Sequence, residues 1–189
     1  MDYKKENSFT LVEIIRHGMA FLHGWMTRCL LTKRKTRIGK AVRMYRNAAV
    51  RCSNGGRIII GEKARIDTDA VLTVRNHGNL ELGDNVGVGP GNMIVCHEHI
   101  SIGKNTIMGP NVLIYDHDHA FSADNIEKRK YVTEPVHIGE NCWIGAGTIV
   151  LRGTTIGNNC IVGAGAVIKG TYPDGSIIVQ KRETTVRRR

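Results

Sequence analysis

The stretch GENCWIGAGTIVLRGTTIGNNCIVGAGAVIKG, residues 139–170, places an aliphatic residue at every sixth position: Ile144, Val150, Ile156, Val162 and Ile168. A small or β-branched residue stands four positions after each of the first four: Thr148, Thr154, Cys160 and Ala166. Working outward, the same register recurs in groups of three: Ile38, Met44 and Val50; Ile60, Ile66 and Leu72; Leu82, Val88 and Ile94; Ile102, Met108 and Ile114. Gly follows the aliphatic position at 39, 61, 83, 89, 103, 109, 139, 145, 157 and 163. A six-residue register held in triplets describes a triangular coil of three short strands, with the aliphatic and the small +4 residue pointing inward. Successive coils stack by strand pairing at roughly 4.8 Å per layer, so six coils make a prism about 29 Å tall. The intervening Gly or Asn is expected to relieve the turn through a positive φ.

Composition fits such a prism and excludes other classes. Gly is 22 of 189 residues and aromatics are only 5%, so aliphatic ladders rather than large rings must fill the core. The chain lacks a G-X-Y period and is not collagen; with 41% hydrophobic residues regularly spaced, it is not disordered. The five cysteines, Cys29, Cys52, Cys96, Cys142 and Cys160, show no CxxC spacing, which argues against a disulfide framework or structural zinc and for a reducing compartment. Glu13, Arg16 and His17 interrupt the first apolar stretch, and no apolar run reaches 18 residues, so a cytoplasmic location is expected.

From the third aliphatic of one coil to the first of the next the spacings are 10, 10, 8, 24 and 6 residues, so every departure from six falls at the same corner. The longest break, between Ile114 and Ile138, holds YDHDHAFSADNIEKRKYVTEPVH, and an excess of this size thrown out of a rigid scaffold is a functional loop, bounded here as 115–137. Histidines gather at that corner. Counted from the third aliphatic of each coil, His97 and His117 both fall at +3, and His77, His99 and His119 all fall at +5. Three readings of this corner stand side by side: a general base oriented by Asp116 or Asp118, a metal site of stacked imidazoles, or an exposed polar ladder without chemistry.

The periodic segment, over about residues 38–175, resembles the hexapeptide-repeat acyltransferases. The resemblance implies an all-β fold, a left-handed parallel β-helix of six triangular coils, and a homotrimer with active sites between subunits. It also implies acetyl-CoA as cosubstrate and direct acyl transfer to an acceptor, with a backbone N–H stabilising the oxyanion. In the sugar acetyltransferases of this fold a catalytic His precedes the Asn-X-Trp-Ile-Gly coil. Aligned backward from Pro135, it falls on His119, with His117 as the neighbouring alternative. The pantetheine arm would run past Trp143, Ala146 and Ala164, and Lys169, Lys181 and Arg182 would meet the phosphates. Trp143 suits a subunit interface equally well. Gly89 and His99 are the acceptor-side positions. Gly89 stands where the family has a sugar-contacting Asn, and IIVQKRETTVRRR replaces the usual Gly-Asn-Pro-Ala ending. The chain is therefore not simply a galactoside- or maltose-type enzyme.

The ends complete the organisation: residues 1–37, the repeat domain 38–175, and a tail 176–189. Residues 9–31 carry an apolar stripe through Leu11, Ile15, Leu22, Met26 and Cys29, with Glu13, Arg16, His23 and Thr27 off it, which reads as an amphipathic N-terminal α-helix. It caps the base of the prism or packs in the trimer, or lies on an anionic inner membrane as a peripheral contact, and the two can coexist. The formal charge of +10 resolves into +5 over residues 1–37, +4 over 181–189 and +1 between. Two basic ends on a near-neutral prism do not form a nucleic-acid surface; they suit a membrane face and cofactor phosphates. The functional expectation is an acetyl-CoA-dependent O-acetyltransferase acting on a sugar or lipid-linked glycan hydroxyl in surface polysaccharide synthesis. The alternatives are a xenobiotic or amino-sugar N-acetyltransferase, a metal-dependent hydratase of the gamma-carbonic-anhydrase kind, and a non-catalytic trimeric scaffold.

Overall fold

The computed structural model describes residues 11–31, 36–123, 126–181, 183 and 185–188. The repeat winds into triangular coils as its period requires. Coil 1 comprises strands Thr36–Ile38, Arg43–Met44 and Ala49–Cys52, and coil 2 Arg57–Ile60, Arg65–Ile66 and Val71–Val74. Coil 3 comprises Asn79–Leu82, Gly87–Val88 and Met93–Cys96, and coil 4 His99–Ile102, Ile107–Met108 and Leu113–Tyr115. Coils 5 and 6 follow as Val136–Ile138, Trp143–Ile144, Ile149–Val150 and Thr155–Ile156, Ile161–Val162, Val167–Ile168. Two more strands, Thr171–Tyr172 and Ile177–Ile178, continue two of the faces beyond the six coils. Parallel pairing closes three faces, two sheets of seven strands and one of six.

The core follows the sequence register. On the six-stranded face Val50, Leu72, Ile94, Ile114, Val150 and Ile168 pair in one column. The small +4 residues Ala64, Ala70, Val86, Val112, Cys142, Cys160 and Ala166 are buried beside such columns. Buried Thr residues at the same position satisfy their hydroxyls internally. Thr106 Oγ1 donates to the Gly139 carbonyl at 2.8 Å and accepts the Cys142 N–H at 3.0 Å. The thiols of Cys142 and Cys160, one coil apart, donate to the carbonyls of Gly157 and Pro173 at 3.1 and 3.2 Å, and burial pushes the Cys142 thiol up.

The reason for the repeating Gly differs from the expectation. Positive φ falls two residues later, on Asn85, Asn105, Asn111, Asn141 and Asn159, a residue type that tolerates left-handed backbone. Their amides form a ladder, Asn85 Nδ2 to Asn105 Oδ1 at 3.1 Å and Asn105 Nδ2 to Asn141 Oδ1 at 3.0 Å. The Gly itself is required by stacking. A Cβ on Gly61 would stand 2.5 Å from the Asp84 nitrogen of the next coil, and one on Gly145 2.5 Å from the Ala164 nitrogen.

The 24-residue break leaves the stack intact, since Ile102 pairs directly with Ile138 and Ile114 with Val150. Its residues fold outward as an antiparallel hairpin of His117–Phe121 and Ile126–Thr133, with an irregularity between His119 and Ala120.

Helix α1 (Leu11–Leu31) covers the base of coil 1 through the face opposite its apolar stripe, which combines the capping position with the outward apolar face that membrane contact expects. Ala20 and Gly24 are buried, and a Cβ on Gly24 would run into the Val42 carbonyl. His17 Nδ1 and the buried Tyr45 hydroxyl are hydrogen-bonded at 2.7 Å. Leu11, Ile15, Leu22 and Met26 face outward. Close backbone approach through small residues decides the contact, because the open end of a solenoid presents backbone edges rather than an apolar floor.

Candidate active site

Alternation from inward-facing Ile114 turns Asp116 inward as well, and it is completely buried at the corner where the hairpin leaves coil 4. A buried carboxylate is costly without partners. Here the His97 N–H donates to both oxygens at 2.8 and 3.0 Å, and the Glu98 N–H donates to Oδ2 at 2.8 Å. Burial pushes the Asp116 carboxyl up. The hydrogen bonds from His117, the Glu98 and His97 backbone and the Cys96 thiol outweigh it and hold the group below the usual carboxylate range. Burial, then the charge of Asp116, push the Cys96 thiol far up, so this sulfur is no nucleophile.

His117 Nδ1 lies 3.1 Å from Asp116 Oδ1. With an ionised acceptor, Nδ1 carries the proton, and the Nε2 lone pair is left for a reacting hydrogen. The His97 ring stacks on it with centroids 3.7 Å apart and planes 4° from parallel. Asn76 Nδ2, a donor, lies 3.2 Å from His97 Nδ1, which must accept. Burial and then the facing His117 push His97 down to about 4, so it is neutral at pH 7. Tyr131, from the returning hairpin strand, sets its ring edge-on to His97 at 4.4 Å and to His117 at 5.3 Å.

The +3 pair thus stacks as counted from the sequence, whereas the +5 set separates. His119 is exposed on the hairpin, 4.8 Å from the Tyr131 ring. His99 Nδ1 lies 3.2 Å from Asn79 Nδ2, and the His99 ring centroid lies 5.3 Å from that of His137. His77 occupies a turn in left-handed backbone. Asp118, the second orienting candidate, is taken by Arg152 at 2.6 Å, and Arg152 also reaches Glu134 at 3.1 Å. Gly89 is buried, with its Cβ position 2.5 Å from the Met108 carbonyl, so no side chain could serve an acceptor there.

Of the residues expected at the cofactor, Trp143 is exposed on the second face, in register with exposed Ile107, Ile161 and, through Ile161, Ile177. Ala146 and Ala164 are exposed on successive coils at one edge, where the Ala146 carbonyl accepts the Gly165 N–H at 2.7 Å. Lys169 and Lys181 are exposed, and Arg182 lies outside the described residues. Tyr131, Asn76 and Arg152 were not singled out by sequence reasoning. Tyr131 could have been found only by pairing the insert with itself as a hairpin.

Parallel rings 3.7 Å apart, each with Nδ1 engaged elsewhere, do not converge nitrogens on one ion. Among the described residues no group of three or more His, Cys, Asp and Glu is arranged to hold a metal.

Residues 135–170 match the model of the bacterial transferase hexapeptide, six repeats. The chain carries the hexapeptide repeat of bacterial transferases. This hexapeptide-repeat chain is 34% identical over 164 residues to "Probable acetyltransferase Rv3034c" of Mycobacterium tuberculosis, a match covering 85% of this chain and 52% of that protein. It therefore spans about half the length of the curated relative it matches. Among solved structures it resembles a mutant of AntD, an N-acyltransferase from Bacillus cereus, in complex with dTDP-4-amino-4,6-dideoxyglucose and coenzyme A. That similarity has a TM-score of 0.67 and 22% identity, covering 97% of this chain and 92% of that one. A maltose O-acetyltransferase from Clostridium difficile 630 is similar with a TM-score of 0.51 and 23% identity, covering 90% and 84%. These structural likenesses establish the shared fold.

Proposed function

We propose that the hexapeptide-repeat chain is an acetyl-CoA-dependent O-acetyltransferase acting on a sugar hydroxyl, with His117 rather than His119 as general base. The observation that carries the reading is the Asp116–His117 pair, a buried carboxylate fixing the Nδ1–H tautomer of an imidazole at the hairpin corner. His117 Nε2 takes the proton of the acceptor hydroxyl as its oxygen attacks the thioester carbonyl. Asp116 stabilises the imidazolium, and the proton then passes to the departing CoA thiolate. Neutral His97 stacked alongside adds no opposing charge. Support for the CoA and sugar classes comes from the relatives: the AntD mutant binds coenzyme A and an amino sugar nucleotide, and the curated relative is named an acetyltransferase.

The exposed column Ile107, Trp143, Ile161 and Ile177 supports a homotrimer packed through the second face, with Trp143 at the interface. A second reading, N-acetylation of an amino sugar, is favoured by the AntD complex. The base pair favours the hydroxyl, which cannot attack without losing its proton. Thiol release from acetyl-CoA, measured with matched hydroxyl and amino sugars and read by product mass, tests both. Turnover with neither class, or turnover unaffected by His117→Ala, refutes the proposal.

A further inference from the structure

The outward half of helix α1 is apolar along its length. Leu11, Val12, Ile14, Ile15, Met19, Leu22, Trp25 and Met26 are all exposed, Val12 at 73%, Met19 at 66% and Trp25 at 61%. At 100° per residue these positions cover about half the circumference of the helix. The other half, with Glu13, His17, Ala20 and Gly24, faces coil 1. The apolar face continues into an apolar groove of about 620 Å³ between α1 and the base of the prism, lined by Val12, Ile15, Met19, Met44 and Tyr45. Arg16 and Arg28 stand on the two flanks of the apolar arc, where long basic side chains reach a headgroup layer.

Charge selects the occupant of this face. Residues 11–60 contain eleven Lys and Arg and a single acid, Glu13. On coil 1 Arg37, Lys40, Arg46 and Arg51 are exposed, as is Arg57 at the start of coil 2. The positive charge is therefore concentrated at the end of the molecule that bears the apolar helix. A second copy brought against this face would carry the same excess of positive charge, and the face-two column suited to copy contacts begins only at Ile107, three coils above. Anionic lipid supplies both the apolar layer and the opposite charge.

We propose that the α1 end of this protein docks on an anionic lipid bilayer, with α1 lying in the interface, apolar half inward, and the basic residues of coil 1 at the headgroups. Helix α1 is not long and apolar enough to cross a membrane, so the contact is peripheral. It stands independently of the acetyltransferase reading.

The test is flotation of the purified full chain with mixed phosphatidylcholine–phosphatidylglycerol vesicles and with pure phosphatidylcholine vesicles. Partition onto the anionic vesicles is expected to be at least about tenfold stronger, and to weaken as salt is raised. Two variants separate the contributions. Serine at Val12, Met19, Leu22 and Met26 removes exposed apolar groups, and glutamate at Lys40, Arg46 and Arg51 reverses exposed charges. Each is expected to lower partition at least about tenfold while thermal unfolding stays within a few degrees of the parent. Equal binding to both vesicle types, no binding, or unchanged partition of the serine variant overturns the proposal. So does a parent that sediments as a larger assembly than the serine variant without floating, which would make the face a contact between copies.

Discussion

Replacing Asp116 by Asn keeps the shape of the buried group and inverts what it can accept. In the parent, both oxygens are acceptors for three donors: the His97 N–H, the Glu98 N–H and His117 Nδ1–H. An amide offers one oxygen and two N–H donors. If the oxygen stays with His97 and His117, the amide NH₂ faces the Glu98 N–H at 2.8 Å, donor against donor. If it turns to Glu98, His117 meets a donor, moves its proton to Nε2, and loses the lone pair that accepts the substrate proton. Either arrangement loses charge-assisted bonds and leaves a buried donor unpaired, a cost of about 2–4 kcal/mol in stability. Loss of the base lowers kcat/KM by about 10²–10⁴, or roughly 3–5 kcal/mol of barrier. The assay is thiol release from acetyl-CoA with the best acceptor of a sugar panel, run well below the variant's own unfolding midpoint, beside urea unfolding. His117→Ala should give a similar loss, and the double variant little more, because the two act as a unit. A folded Asp116→Asn protein keeping kcat/KM within about threefold of the parent would refute the tautomer argument, and full activity in His117→Ala with loss in His119→Ala would move the base to His119.

Stability should also depend on pH through His97. Its folded pKa of about 4 lies below the ordinary 6.5, so the unfolded chain binds more protons between those values. Stability then falls as pH drops across that window, by up to about 3 kcal/mol, and His97→Gln should flatten urea midpoints measured over it. Gly145→Ala drives a Cβ into the Ala164 nitrogen and the Val162 carbonyl, costing about 1–3 kcal/mol and lowering Tm by roughly 2–10 °C. Gly87→Ala, whose Cβ would come no nearer than 3.4 Å to Ile107 Cγ2, an ordinary van der Waals contact, should stay within about 1 kcal/mol by the same measurement. Arg152→Ala removes only surface ion pairs to Asp118 and Glu134 and should shift the urea midpoint by less than about 1 kcal/mol.

The coil register was fully legible because it is a packing constraint repeated in every layer. Each inward aliphatic is tested against its counterparts above and below, as Ile94 is by Leu72 and Ile114. The stacked imidazoles were legible for the same reason, since +3 from equivalent positions lands on equivalent places. The proposed base is less directly legible. Alignment to a family motif crosses the insert and falls on His119, with His117 as the alternative, and His119 stands on the hairpin, where the chain has already left the scaffold. Strand alternation from Ile114 reaches only to Asp116 and His117, and it is this local rule that buries the carboxylate. Tyr131 depended on an antiparallel pairing, with its irregularity after His119, that no repeat specifies.

Helix α1 shows where a correct pattern leaves the contact open. The apolar stripe through Leu11, Ile15, Leu22 and Met26 is real, but amphipathicity says only that two faces differ, not which one meets the fold. The inference that apolar packs inward assumes an apolar partner. The lowest coil instead offers backbone, the Val42 carbonyl and the Tyr45 hydroxyl, and these are matched by Gly24 and His17. An apolar half-helix left in water is unfavourable for any chain that must stay dispersed, which favours a partner outside the fold. Eleven basic residues against one acid over positions 11–60 then restrict that partner. A neutral apolar surface would leave those charges uncompensated, and a second basic copy would oppose them. The outward apolar half is the orientation that the peripheral membrane expectation requires, and together with the basic end it supports the proposed lipid docking.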